Sequence, residues 1–430
     1  MKNLLIVFFL GMALSVNAQT KSVKNSSALT EVTPASVGIS AERLARIETM
    51  CAKAVADNEV PGIVALVARQ GKIVFYKAFG KADNQSGRSL KRDDIFRIAS
   101  QSKAITATAV MTLWEEGKFK LDDPISKYIP EFKNPKVLKN FQYSDTTFTG
   151  NPASGEITIR QLMSHTSGIG YGVIDADERM KMIYRKAGVT DAFCADNITI
   201  AESVKKLAKL PLHHNPGEKF TYSEGLDVLG YLIEIVSGMP FDQYLRKHIF
   251  DPLGMNDTWF YLPSEKADRL VSVQQKNGKG EWTRYPVTFY DPDYPIKGAK
   301  AFFSGGAGLS STAKDYATFL QMYLNGGEFN GVRILSRTTV ATILSNQTGS
   351  IWGGPEKFFG LAFSVLTQRG EELGGNGSAG TFEWGGYFNT SYFADPKEKI
   401  IGILLKQTQG PTNDNTGWKF RQLIGQALDD

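Results

Sequence analysis

Two stretches of alternating and apolar-run positions frame the chain. Ile63 to Arg69 and Lys72 to Phe79 flank Gln70-Gly71, which predicts a β-hairpin. Near the other end, Ser391 to Ala394 and Ile400 to Leu405 predict a second hairpin around Asp395-Pro396-Lys397. A helix is expected to start after Ser40, with Leu44, Ile47, Cys51 and Val55 on one apolar stripe, and Trp418 to Leu428 reads as a closing helix. These terminal pieces are expected to share one antiparallel sheet, flanked by the two helices. From about residue 104 to about residue 300 the pattern is mostly helices and loops. The fold class that follows is α/β: an antiparallel sheet flanked by helices, with a large, mainly helical lobe inserted in it. The two lobes meet at Ser100, and lobe junctions are common places for ligand clefts. The chain carries no internal repeat and no low-complexity tract.

The chemistry-bearing residues lie at that junction. Ser100-Gln101-Ser102-Lys103 precedes Ala104 to Trp114, a run of good helix formers with an apolar stripe and a C-terminal stop at Gly117. A spacing of three puts the Ser100 hydroxyl and the Lys103 amine on one helical face. Ser100 falls at the helix N-terminus, where free N–H groups and the dipole favour negative charge. A neutral Lys103 beside it can take the hydroxyl proton, which is the logic of an activated nucleophile. Alone, the tetrapeptide also describes an N-capping serine followed by a solvated lysine. Tyr222 lies in the turn-rich run Pro216 to Gly225, just before a helical pattern from Leu226 to Val236. A phenol near an ammonium can act as general base and acid, although a packing tyrosine has the same local sequence. Phe382-Glu383-Trp384-Gly385-Gly386-Tyr387-Phe388 reads as an edge-strand segment whose glycines let a backbone approach a ligand, or as a β-bulge.

The order and spacing of these three elements resemble the serine β-lactamase and penicillin-binding-protein superfamily, in particular the class C-like branch with the family VIII carboxylesterases and related transesterases. Ser100 and Lys103 match its Ser-x-x-Lys, Tyr222 the tyrosine of its Tyr-x-Asn, and Trp384-Gly385-Gly386 falls where β-lactamases carry Lys-Thr-Gly. Leu162 to Gly168, Phe250 to Met255 and Gly305 to Thr312 look like further landmarks, so the likeness spans roughly residues 36 to 428. It implies catalytic roles for Ser100, Lys103 and Tyr222. It also implies an oxyanion site on the backbone N–H groups of Ser100 and Tyr387, and substrate contacts from Trp384, Gly385, Gly386 and Glu224. Two departures bear on substrate. Glu224 stands where an asparagine is usual, and an ionised carboxylate only accepts hydrogen bonds. Trp384 replaces a lysine, removing a cation that would meet a substrate carboxylate. The resemblance therefore points to a carboxylesterase or related acyl hydrolase or transesterase acting on a small-molecule ester or amide. A β-lactamase or D-amino-acid peptidase, and a non-catalytic cell-wall binding protein, are the alternatives.

Composition narrows the picture further. A chain of 430 residues, 42% hydrophobic and 22% charged, can bury a large core. Its net charge of +5 is scattered, which gives no support to nucleic-acid binding. Lys2, the apolar run Leu4 to Leu14 and Val16-Asn17-Ala18 have the layout of a signal peptide over residues 1–18, with cleavage before Gln19 and export to the periplasm or medium. That run is too short to span a membrane, and no anchor is expected. Residues 19–35 are polar and aperiodic and are expected to form a flexible leader before a single hydrolase domain over residues 36–428. Cys51 and Cys194 are the only cysteines and are expected to be free, Cys51 on its helix stripe. The four histidines make no metal motif, so neither a metal nor a cofactor is expected, and His165 reads as a hydrogen-bonded structural residue. The glycine-rich run Gly305-Gly306-Ala307-Gly308 reads as tight packing under the site. Oligomeric state is not legible.

Overall fold

The computed structural model describes residues 20–410 and 413–430, so the signal-peptide reading of residues 1–18 lies outside the described residues. Its main sheet has nine strands. In chain order the eight on its continuous path are β1 (Thr30–Glu31), β2 (Gly62–Arg69), β3 (Lys72–Asp83), β4 (Lys357–Phe359), β5 (Ser364–Leu366), β6 (Phe382–Gly386), β7 (Thr390–Asp395) and β8 (Ile400–Leu405). They lie side by side in the order β4-β5-β6-β7-β8-β2-β3-β1, with Arg88–Ser89 pairing on β3. Every pairing on that path is antiparallel except β1 with β3. Both hairpins form around the turns the sequence predicts, and β8 joins them by pairing with β2 from Ile400↔Arg69 to Leu405↔Val64.

The helices that matter here are α1 (Ala41–Ala56), α2 (Ser102–Glu115), α3 (Gly225–Ser237), α4 (Ala313–Leu324) and α5 (Thr416–Gly425). Strand alternation sorts the core into two layers. Ile63, Ala65 and Val67 of β2, with Ile400 and Leu404 of β8, pack against Leu44, Ile47, Cys51 and Ala54 of α1 and Phe420 and Ile424 of α5. Val64, Leu66 and Ala68, with Ile401, Ile403 and Leu405, face the opposite way into the larger core that holds α2, α3 and α4. A strand covered on both faces has no solvent side, which is why β2 is buried along its whole length. Cys51 and Cys194 are both free, and burial pushes the Cys51 thiol up to about 12.

α2 is buried from Ser102 through Met111. A helix enclosed on every face sits in the centre of a core and needs partners for its polar groups. Thr106 Oγ1 donates to the Gly305 carbonyl at 2.7 Å, Thr108 Oγ1 meets the Tyr323 hydroxyl at 2.7 Å, and Ser102 Oγ accepts from the Leu309 N–H at 3.1 Å. These contacts fix α2, and Ser100 at its start, between the sheet layer and the helical lobe.

Two expectations are corrected. Residues 20–35 do not hang free: Thr20–Lys21 pairs with Val332–Arg333, the Ser26 hydroxyl donates to Glu328, and Thr30–Glu31 extends the main sheet beside β3. Strand addition works through backbone hydrogen bonds, so it leaves little trace in apolar periodicity. The segment carrying Trp384 is likewise no outer edge, because β5 and β4 lie beyond it. β5 reaches only Phe382 and Glu383, however, so Trp384, Gly385 and Gly386 have a strand partner on one side alone. Among the described residues no helix is long and apolar enough to cross a membrane.

Candidate active site

Ser100 lies in a single 3₁₀ turn, Ala99–Gln101, between the short strand Phe96–Arg97 and α2. The chain enters this turn under constraint. Ala99 has φ +46°, a left-handed conformation that costs a residue with a Cβ about 1–3 kcal/mol and persists only where its surroundings impose it. The surroundings here are strong: Phe96–Arg97 pairs with Ser310–Ser311, and the Ile98 N–H donates to the Leu309 carbonyl at 3.0 Å. One turn later Lys103 is 1% exposed. Its Nζ lies 3.3 Å from Ser100 Oγ and 3.3 Å from the Tyr171 hydroxyl, and it donates to the Gly306 carbonyl at 2.8 Å. The glycine-rich run read as packing under the site thus supplies an acceptor to the lysine.

Tyr222 precedes α3 by three residues. Its ring carries Lys103 Nζ 4.5 Å above its centroid, and it stacks on Tyr171 at 5.4 Å with 11° between the planes. The Tyr222 hydroxyl accepts from Trp384 Nε1 at 3.4 Å. In this arrangement Lys103 meets Ser100 directly, and it meets Tyr222 through the ring face. His165 lies behind Tyr222, with ring centroids 4.6 Å apart. Its Nδ1 accepts from the Ser223 N–H at 3.2 Å and lies 3.0 Å from Ser223 Oγ. Burial and the nearby Lys103 charge hold its pKa well below the usual histidine range. It is a neutral support for the Tyr222 turn.

β6 brings Trp384, Gly385, Gly386 and the following Tyr387 to the other side of Ser100. The approach depends on Gly386: a Cβ there would lie 2.4 Å from the Ile98 carbonyl oxygen and 2.3 Å from Thr390 Oγ1. Ser100, Tyr222, Trp384, Gly385, Gly386 and Tyr387 all line one cavity of about 420 Å³, completed by Tyr171, Phe193, Tyr290 and others. Its lining contains no lysine or arginine. A second compartment of about 730 Å³ shares Tyr171, Ile174 and Tyr222 with it and extends to Asp175, Arg179 and His213. A larger depression of about 840 Å³, walled by Arg246, Trp259 and Phe303, contains none of these residues.

Glu224 is placed differently from the expectation. It is 2% exposed and lines neither compartment of the cleft. It points inward beside Asp191 and Asp227. Burial, followed by the charges of those two neighbours, pushes its carboxyl well above the usual range. Sequence spacing gives the residue but not the direction of its side chain. Asp227 has a use of its own: Oδ1 accepts from Ser304 Oγ at 2.7 Å and from the Gly306 N–H at 2.8 Å, which holds the residue whose carbonyl receives Lys103. Tyr171 was not among the expected site residues. The signal for it was present, an aromatic residue between Gly170 and Gly172 shortly after the Leu162 to Gly168 landmark. Among the described residues no group of three or more His, Cys, Asp or Glu side chains is arranged to hold a metal ion.

A hydroxyl and an amine one helical turn apart, open to an aromatic cavity with a strand end alongside, are the parts of a serine hydrolase that works through an acyl-enzyme. The chain belongs to the Beta-lactamase family, whose model matches residues 47–426. It is 33% identical over 358 residues to an uncharacterized protein of Mycobacterium tuberculosis, covering 80% of this chain and 85% of that one. It is 29% identical over 384 residues to Esterase EstB of Burkholderia gladioli, covering 85% and 90% respectively. Among solved structures it is similar to EstCE1, a hydrolase with promiscuous acyltransferase activity, with TM-score 0.75, 27% identity and coverage of 89% of this chain and 98% of that one.

The close approach at Gly386 gives a direct test. Gly386→Ala has to push the end of β6 off Ile98, and a shift of about 1 Å in a catalytic cleft can cost on the order of 10²-fold. Ester hydrolysis by this variant is expected to fall at least ~10-fold with an unchanged circular dichroism spectrum. Gly385→Ala, whose nearest contact would be the Thr390 carbonyl oxygen at 3.1 Å, should lose less.

Proposed function

We propose that the protein is an exported carboxylesterase, or a related acyl hydrolase or transesterase, that prefers neutral esters. The observation that carries this reading is the 3.3 Å contact between Ser100 Oγ and Lys103 Nζ at the base of a cavity lined without a cation. Ser100 Oγ attacks the ester carbonyl carbon while its proton passes to Lys103. The carbonyl oxygen, now an oxyanion, is held by the backbone N–H groups of Ser100 and Tyr387. The C–O bond to the alcohol then breaks, and the departing oxygen takes the proton back from Lys103, with the Tyr222 phenol beside the path. Water or a second alcohol repeats the sequence to release the acyl group. Each oxyanion donor can contribute about 10²–10³ in rate, and acid–base help about 10²–10⁴. The likeness to Esterase EstB and to EstCE1 supports the esterase assignment within the family.

Substrate preference follows from the walls. Trp384, Tyr387, Tyr290 and Phe193 offer apolar and aromatic surface to an acyl group. A substrate carboxylate entering the Ser100 cavity would lose its hydration without finding a lysine or arginine on the walls. Neutral esters pay no such penalty.

Three outcomes are expected. A fluorophosphonate probe should label Ser100, and Ser100→Ala should lose labelling and turnover while staying folded. Lys103→Ala should slow acylation by at least ~10²-fold. Labelling of a different serine, with Ser100→Ala still active, would overturn the assignment.

For selectivity, kcat/KM for a neutral p-nitrophenyl ester should far exceed that for any penicillin or cephalosporin, and Trp384→Lys should narrow the gap. A wild-type protein that cleaves a cephalosporin faster than every ester tested would make it a β-lactamase instead.

For export, the mature chain should begin at or near Gln19 when recovered from outside the cytoplasm. N-terminal sequencing checks this, and an intact Met1 on exported, active protein would refute it.

A further inference from the structure

We propose that Asp175 is a positioning residue for acyl transfer: its carboxylate ties down the backbone of Tyr171 and so holds the Tyr171 phenol against Lys103. The inference rests on the acyl-transfer reading above. Tyr171 belongs to no helix or strand, and a 3₁₀ turn, Gly172–Ile174, begins only after it. Flanked by glycines, it owes its place to what its backbone is fastened to. Asp175 Oδ2 accepts from the Tyr171 N–H at 2.9 Å and lies 2.9 Å from His213 Nε2, while Oδ1 accepts from the Asp177 N–H at 2.8 Å. The carboxylate reaches this position because Gly170 has no side chain; a Cβ there would lie 2.5 Å from Oδ2. His213 is fixed in turn by its own N–H, which donates to the Gly168 carbonyl at 2.7 Å.

The clamp is rigid enough to transmit position. The Asp175 side chain is 4% exposed. Burial alone would raise its pKa, but hydrogen bonds from His213, Asp177 and Tyr171 outweigh that and hold the carboxyl below its usual range, so it is ionised at neutral pH. From the tied backbone, the Tyr171 ring extends to stack on Tyr222 and to bring its hydroxyl 3.3 Å from Lys103 Nζ. Moving the Tyr171 peptide therefore moves one of the three groups that fix the lysine, and it disturbs the ring that backs Tyr222. Asparagine cannot replace Asp175 here. Its two oxygens each face a backbone N–H, so an amide of the same shape must turn its NH₂ towards one of those donors.

The test compares Asp175→Asn and Tyr171→Phe, singly and together, by Ser100 labelling rate, ester kinetics and amide hydrogen exchange. Asp175→Asn is expected to speed exchange at the Tyr171 amide about tenfold, the effect of losing one hydrogen bond. It should also slow acylation about tenfold, with KM within about twofold. In the Tyr171→Phe background, Asp175→Asn should slow acylation much less, because the phenol is gone and only the ring contact with Tyr222 is left for it to disturb. His213→Asn, which keeps the carboxylate and removes one of its partners, should act in the same direction with a smaller effect, and it serves as the second route if Asp175→Asn is unstable. Unchanged exchange at Tyr171, or equal slowing in both backgrounds, would overturn the proposal. An unlabelled Ser100 in the wild-type protein would sink the acyl-transfer reading instead, and the exchange measurement would still decide whether Asp175 holds Tyr171.

Discussion

The site depends on how a lysine amine is kept inside the protein. Burying an amine without hydrogen-bond partners costs several kcal/mol, so the fold has to surround Lys103 with acceptors. Those it provides are uncharged: a serine hydroxyl, a tyrosine hydroxyl and a peptide carbonyl. Among the described residues no carboxylate lies within ion-pair distance of Lys103. A carboxylate contact would hold the amine as a charged partner of that acid; with neutral acceptors, the lysine is left facing Ser100. Each acceptor is then a constraint on distant chain. Gly306 must point its carbonyl at α2, and Asp227 on α3 holds that residue by its N–H. Tyr171 must come in from a loop, and Ser100 is set by the strained turn that follows Phe96–Arg97.

That arrangement also explains why the cleft has two characters. The stacked Tyr171 and Tyr222 rings form a partition with Ile174, bordered on one side by the aromatic cavity around Ser100 and on the other by a polar compartment. The partition carries Lys103 Nζ against its aromatic faces, 5.0 Å from the Tyr171 centroid and 4.5 Å from that of Tyr222. Once Lys103 takes up a proton, cation–π attraction to these faces stabilises the resulting ammonium, the more so where water is excluded. The same two rings therefore face the lysine and line both compartments of the cleft.

Much of this was legible in the chain. Apolar alternation and short apolar runs located both hairpins, because a strand buried on one face alternates every two residues and one buried on both reads as a continuous run, and the α1 stripe including Cys51 followed the 3.6-residue period. A spacing of three was enough to put Ser100 and Lys103 together, since that contact is local to one turn. Tyr222 and Trp384 could be found only through the family resemblance, because 162 residues separate the two ends of their hydrogen bond. The polar scaffolding was not legible. Asp175, Asp227 and Gly306 act through contacts between loops and helix ends, which have no periodicity, and their residue types are common on any surface. The leader misled for a related reason: pairing by backbone alone asks nothing of side-chain pattern.

Glu224 shows how such a scaffold absorbs an unusual residue. A carboxyl in place of an amide beside Lys103 would be disruptive if it were ionised and aimed at the cleft. Here it turns into the interior, where burial and its acidic neighbours push its carboxyl well above the usual range. The space it occupies comes from another glycine: a Cβ on Gly172 would lie 2.9 Å from Glu224 Oε1 and 2.8 Å from Asp191 Oδ2. Gly172 also has φ +35°, a backbone conformation that side chains disfavour. Glu224, Asp191 and Gly172 are thus one packing unit under Tyr171. A glutamate at this position is compatible with the lysine chemistry because the loop that carries the tyrosine has no side chain where the carboxyls converge.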